Sequence, residues 1–219
     1  MEHEHTGKTF PLTDRTTISR LPKRGRYDRN IVYAILDEAL FCTVAYASGN
    51  LPHQIPTGFC RVDDTLYFHG SVGSHFLREI MDKGLDVCIN VTLMDALVLA
   101  RSAFHHSMNY RSVVMFGKPI LVTDAGLLDR VMEAFTNKLV SGRWDLVRKP
   151  TVGEWKATMV LGLPIVEASA KIREGFPVDD EEDLDMDVWA GLVPLKSSRQ
   201  TPQPDPKLKE GKSYQGKPV

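Results

Sequence analysis

Two periods alternate along this chain. Ile31, Val32, Ile35, Leu36 and Ala39 fall on one face of a helix that Asp28 can cap. The β-branched and aromatic run Phe41–Ala47 then reads as a strand. Ser48-Gly49-Asn50 turns the chain into His53–Val62, and Asp63-Asp64 turns it again into Thr65–His69, which predicts an antiparallel meander. Helical spacing returns over Ser74–Lys83, with Phe76, Leu77, Ile80 and Met81 inward. Leu85–Thr92 and Ala96–Ala100 resume the strands, and Met108–Val122 is the longest extended run, bent at Gly117-Lys118-Pro119. Asp124 caps a third helix carrying Leu127, Leu128, Val131, Met132, Phe135 and Leu139; Thr158–Ile172 is a final apolar strand kinked at Pro164. The pattern predicts a mainly β protein with peripheral helices: a six- to seven-stranded antiparallel β-barrel.

The ends depart from this pattern. Residues 1–26 mix charges, Thr and Pro and read as an N-terminal arm on the surface; 27–195 form the barrel domain; 196–219 form a flexible basic tail. Asp179–Asp187 is an acidic run, read as a solvated loop, followed by the amphipathic Val188–Leu192. The net charge of −1 gives no global support for a polyanion partner. The tail cations Lys207, Lys209, Lys212 and Lys217 have Tyr214 as their one aromatic neighbour, so a solubilising end is expected and nucleic acid is not. No apolar run is long enough to span a membrane, and the polar start Met1–His5 lacks a signal-type apolar stretch; a cytoplasmic location is expected. Cys42, Cys60 and Cys88 sit in apolar runs without metal-ligand spacing and are read as buried, reduced thiols.

The chemistry concentrates between Leu66 and Gly117. Leu66-Tyr67-Phe68-His69-Gly70-Ser71-Val72-Gly73-Ser74-His75 reads as a strand that ends in a small-residue turn and feeds a helix. Free N–H groups at such a helix start commonly hold a phosphate, with Ser71 and Ser74 as the cradle; an ordinary helix cap is the competing role of Ser74. Asn109-Tyr110-Arg111-Ser112 supplies a guanidinium between hydroxyls and an amide. Arg111 could grip a phosphate in two places, or serve a structural ion pair. A phosphate carried by a planar aromatic group suits the combination, and flavin mononucleotide (FMN) is the leading candidate. Gly58, beside Thr57, lets a flat ring approach the backbone, unless it marks a strand bulge. His69, His75, His105 and His106 suggest a metal, but adjacent His105 and His106 would point to opposite faces of a strand, and no metal site is expected. Lys171 and Arg173 share one strand face, where they could serve a ligand or pair with the acids; Trp189 could stack on an aromatic ligand.

The chain resembles the pyridoxamine 5′-phosphate oxidase-like superfamily of FMN-binding split barrels, in its flavin-nucleotide-binding branch related to nitroimidazole-resistance reductases. The resemblance runs from about Leu21 to Leu195. It rests on Ile55-Pro56-Thr57-Gly58, Leu66–Gly70, Ala100–Val113, Ser141-Gly142-Arg143-Trp144, Ala168–Arg173 and Trp189-Ala190-Gly191, in that order. It implies a homodimer with FMN at the subunit interface, the flavin ring against Pro56, Thr57 and Gly58, and the phosphate near His69–His75 and Tyr110–Ser112. The oxidases' basic residue after the phosphate-turn Ser is matched here by His75 or Arg78. Their substrate signature near the C-terminus is absent, so vitamin B6 oxidation does not follow.

The expected function is an FMN-dependent oxidoreductase passing electrons from reduced nicotinamide to a small acceptor. No G-x-G-x-x-G occurs, so nicotinamide would dock transiently on the flavin. No catalytic acid or base is assigned; His69 and Lys171 are the first candidates. The alternatives are a non-catalytic flavin-binding module for storage or sensing, and a haem or deazaflavin binder on the same barrel.

Overall fold

In the computed structural model, which describes residues 7–215, the meander becomes a ten-stranded antiparallel sheet. Met1–His5 of the arm and Lys217 of the tail lie outside the described residues. The elements are β1 (Gly25–Arg26), α1 (Arg29–Glu38), β2 (Phe41–Ser48), β3 (Leu51–Val62), β4 (Thr65–Ser71), α2 (His75–Asp82), β5 (Val87–Leu99), β6 (Ser107–Gly117), β7 (Ile120–Leu121), α3 (Ala125–Leu139), α4 (Val152–Lys156), β8 (Thr158–Pro164), β9 (Glu167–Arg173) and β10 (Gly191–Pro194). The strand order is β1-β9-β6-β5-β2-β3-β4-β8-β7. β10 shares an edge of β5 with β2: β2 takes Val87–Asn90 and β10 takes Ala96–Leu99. Strands beyond the expected six or seven are the short edge pieces β1, β7 and β10, too brief to show a period of two.

Burial follows the alternation. Cys42, Val44 and Tyr46 of β2, Val87, Ile89 and Val91 of β5, Val113 and Met115 of β6 and Ala168 and Ala170 of β9 all point into one core. Helix α1 fills the curl of the sheet with Val32, Ile35 and Leu36, each at most 2% exposed and each worth about 1.5–3 kcal/mol of burial. The Asp28 carboxylate accepts hydrogen bonds from the Asn30 and Ile31 amides and starts this helix. The N-terminal arm contributes Phe10 to the same core, and the Phe10 amide donates to the Tyr27 carbonyl. The arm is therefore anchored, not laid loosely on the surface.

The single strand expected over 158–172, kinked at Pro164, is instead two strands with different partners, β8 on β4 and β9 on β6. The two expected strands 85–92 and 96–100 are one strand, β5, with a register shift between Met94 and Ala96.

Helix α3 lies outside the sheet, where Val131 joins Cys60, Tyr67 and Val160 in a second small cluster. Two glycines let it and its neighbours approach. A Cβ on Gly58 would stand 2.9 Å from the Phe135 ring, and one on Gly162 would stand 2.8 Å from the Tyr67 ring. Lys138 reaches inward from α3: its ammonium donates to the Leu36 carbonyl at 2.7 Å and sits 3.8 Å above the Phe59 ring. It thereby satisfies a carbonyl at the C-terminal end of α1. Burial pushes the Lys138 pKa down to about 8 and those of the Cys42 and Cys60 thiols up to about 12, so the thiols stay protonated.

Two outcomes are expected. Gly162→Ala forces a methyl group against Tyr67 and lowers stability in denaturant titration by about 1–3 kcal/mol. Lys138 loses its proton in the folded state at lower pH than in the unfolded chain, so raising the pH from about 8 toward 10.5 stabilises the native protein. Thermal midpoints should therefore shift in favour of the native protein over Lys138→Met across that window, and remain in constant offset below it.

Candidate functional site

The alternation that buries one face of the central strands leaves small polar side chains on the other. Thr43 pairs with both Pro56 and Asn90, Asn90 pairs with Val114, and Val114 with Ser169, which makes one row across β3, β2, β5, β6 and β9. A neighbouring row pairs Thr92 with Ser112 and Ser112 with Lys171. Of the sequence candidates, Pro56, Ser112 and Lys171 thus share this outer face. The surface is held locally: Asn90 donates to the Val113 carbonyl at 3.3 Å, Thr92 to Asn90 at 3.1 Å and Ser112 to the Lys171 carbonyl at 3.3 Å. The Lys171 ammonium makes no hydrogen bond among the described residues.

At the end of β4 the chain turns through Ser71–Ser74 into α2. The Ser71 hydroxyl accepts from the Gly73 amide at 3.1 Å, and the Ser74 amide donates to the Ser71 carbonyl at 2.8 Å. The first helical amides are left without a cap, because Ser74 stands at the N-cap position but makes no capping hydrogen bond. Asp28, Asp124 and Thr151 each cap their own helix through the side chain. The competing role expected for Ser74, an ordinary cap, is therefore not the one its side chain adopts. Arg78 folds back over the turn and donates to the Val72 carbonyl at 2.7 Å. A cleft of about 330 Å³ opens beside it, lined by Gly73, His75, Arg78, Glu79, Asp82 and Lys83. His75 is exposed and lies 3.8 Å from Glu79.

Arg111 is a correction to the sequence reading. Its guanidinium bonds Glu38 of α1, with one contact of 2.9 Å, and Asp95 of β5 at 2.7–3.2 Å. These bonds raise its pKa and hold Glu38 below the ordinary carboxylate range. Two carboxylates already meet the single cation, so Arg111 clamps α1 to the sheet and is not a free grip for phosphate. Asn109 is buried; it accepts from Arg173 and donates to the Gly175 carbonyl at 3.1 Å. Tyr110 is half-buried and pairs across the ladder with both Met94 and Arg173.

At Gly58 the side of the backbone that a Cβ would take is filled by the Phe135 ring. Thr57 is half-buried, and its hydroxyl lies 3.4 Å from the Gly58 carbonyl. His69 packs edge-on against Phe135 with ring centroids 4.5 Å apart, and burial lowers its pKa, so the imidazole is neutral at pH 7. His105 closes a short 3-10 turn and bonds Asp180 at 3.1 Å. His106 uses Nδ1 on the Ser102 carbonyl at 2.9 Å, which leaves Nε2 free. Among the described residues no group of His, Cys, Asp and Glu is placed to hold a metal ion by itself. Trp189 is 63% exposed, and its indole lies over Gly191. Sequence reasoning missed the outer-face residues Thr43, Asn90 and Thr92, although their alternation with Val44, Ile89 and Val91 was legible. It also missed Glu38 and Asp95, whose partnership with Arg111 spans three elements and leaves no local signal.

The sequence and the fold were compared with known proteins. The family model described as pyridoxamine 5′-phosphate oxidase matches residues 28–172. The flavocytochrome Anf3 from Azotobacter vinelandii is 36% identical, with TM-score 0.85, over 92% of this chain and 94% of its own. The FAD and haem binding protein from Mycobacterium smegmatis is 34% identical, with TM-score 0.81, over 87% of this chain and 93% of its own. A putative 5-nitroimidazole antibiotic resistance protein from Bacteroides thetaiotaomicron shares the fold at 18% identity and TM-score 0.58, over 68% of this chain and 86% of its own. None of the curated proteins matches the chain. The matched span runs from the start of α1 into β9 and includes the whole α2 turn: the chain belongs to the pyridoxamine 5′-phosphate oxidase family, on a split-barrel fold.

Proposed function

We propose that the chain is a flavoprotein that holds FMN and passes electrons from reduced nicotinamide to a small acceptor. The observation that carries this reading is the α2 turn. A helix start with uncapped amides, a Ser74 hydroxyl free of the cap, and Arg78 close by suits a phosphate. Bound flavin would supply hydride and single-electron chemistry, while the protein positions it and excludes water. The α2 amides and Ser74 bind the phosphate. Ser112, Lys171, Thr92 and Asn90 present donors and acceptors along the outer face, and the neutral His69 can donate or accept one hydrogen bond without adding charge.

The protein acts as a homodimer in this reading. Met94, Leu97, Phe104, Met108, Phe176, Val178 and Val193 are all more than a third exposed and belong to the β5–β6–β10 end and its loops. A second copy would cover them.

A second reading adds haem to the flavin, favoured by the two relatives above 30% identity, one named a flavocytochrome and the other a FAD and haem binding protein. His106 fits an iron ligand, because its Nδ1–H is fixed by the Ser102 carbonyl and Nε2 is free. His69 fits as a neutral imidazole.

Ser74→Ala should weaken FMN binding about tenfold in a fluorescence titration, the equivalent of one hydrogen bond to a charged group, and leave riboflavin binding unchanged. Equal losses for both ligands would move the phosphate elsewhere. Nicotinamide oxidation no faster than that by free FMN would reduce the protein to a flavin-binding module. For the haem reading, the Soret band of the haem-loaded protein should vanish in His106→Ala or His69→Ala; its persistence in both would exclude these ligands.

A further inference from the structure

Three cations near the end of β9 have no carboxylate partner among the described residues. Arg173, the last residue of β9, is 9% exposed. It bonds only neutral groups, the Asn109 amide and the Gly175 carbonyl, and its buried Nε has no partner. Lys171 lies two residues back on the same strand face, opposite Gly25. The short 3-10 turn Pro22–Arg24 packs on β9 and brings Arg24 near Arg173; burial first, and then Arg24, lower the Arg173 pKa. Among the described residues no carboxylate stands within ion-pair distance of any of the three; Arg20, Arg26, Arg78, Arg143 and Arg199 lack one too, but of these unpaired arginines Arg173 alone is buried. Neighbouring Tyr110, on the ladder across from Arg173, is half-buried and aromatic.

A buried guanidinium with an orphaned donor beside a second guanidinium costs free energy unless an anion completes it. The pair offers fork-shaped donors suited to phosphate. This place is not the α2 turn. Ser71 ends β4 and Ser74 follows it, and the strands β6, β5, β2 and β3 stand between β9 and β4 in the sheet order.

We propose that Arg24, Lys171 and Arg173 form a second anion site that binds the phosphate monoester of a phosphorylated nicotinamide donor. The identity of the donor rests on the function proposed above; the anion site itself does not. The site selects the phosphorylated over the unphosphorylated dinucleotide, with Tyr110 placed to contact the nucleotide body.

Calorimetric titration of the purified full-length protein with NADP⁺, NAD⁺ and inorganic pyrophosphate tests the assignment, with flavin affinity measured in parallel. Native protein should bind NADP⁺ at least tenfold more tightly than NAD⁺ and should bind pyrophosphate. Arg24→Gln and the charge-conserving Arg173→Lys should each reduce the NADP⁺ preference several-fold while flavin affinity stays native. Arg24 is only half-buried, so its variant folds if Arg173→Lys does not. Equal affinities for NADP⁺ and NAD⁺ with no pyrophosphate binding would overturn the site. Variants that lose flavin affinity and keep the nicotinamide preference would overturn it differently, by assigning the cluster to the flavin. A colourless protein that still binds pyrophosphate through Arg173 would sink the flavin reading and leave the anion site standing.

Discussion

The burial of α1 in the curl of the sheet is the constraint on which the rest depends. Val32, Ile35 and Leu36 must stay dry, so each central strand turns its apolar residues toward them. Strict alternation then sends every second residue outward. The Arg111 clamp to Glu38 and Asp95 and the Lys138 bond to the Leu36 carbonyl fasten the end of α1 from two sides. With α1 fixed, the outer face carrying Thr43, Asn90, Thr92, Ser112 and Lys171 is a rigid surface, the kind of support on which a bound ring can be oriented.

Charge is distributed in keeping with this division of labour. Arg111 was the most attractive cation in the sequence, yet it is spent on structure, because two carboxylates from separate elements meet it. At the edge where β1 joins β9, Arg24, Lys171 and the buried Arg173 stand without a carboxylate among the described residues. A buried positive group that folding leaves uncompensated is costly, and its persistence is most simply explained by a ligand that completes it. The uncapped start of α2 follows the same logic in backbone form: donors without acceptors at a turn that otherwise has every means of capping itself.

Much of the fold was legible in the sequence, for identifiable reasons. Asp28 and Asp124 announce α1 and α3 because capping is local, and β2 to β4 show themselves through short turns between β-branched runs. The short edge strands β1 and β10 were not legible, since they exist only through pairing with β9 and β5. Gly58 shows the same limit: a glycine in a strand signals a close approach but does not say by what, and Phe135, which packs on it, lies 77 positions further along the chain. At the candidate site, the Ser71–His75 turn could be read from its own residues. The fate of Arg111 could not, because ion pairing between Glu38, Asp95 and Arg111 is set by tertiary structure.

The measurement that bears most directly on this account is the absorbance spectrum of the purified protein, recorded before and after heat release of any chromophore. The account predicts the paired near-ultraviolet and blue bands of an oxidised flavin, with a released chromophore that co-migrates with a flavin nucleotide. A colourless protein that also fails to take up added FMN or FAD would contradict it, and the α2 turn would then be a helix start without a ligand.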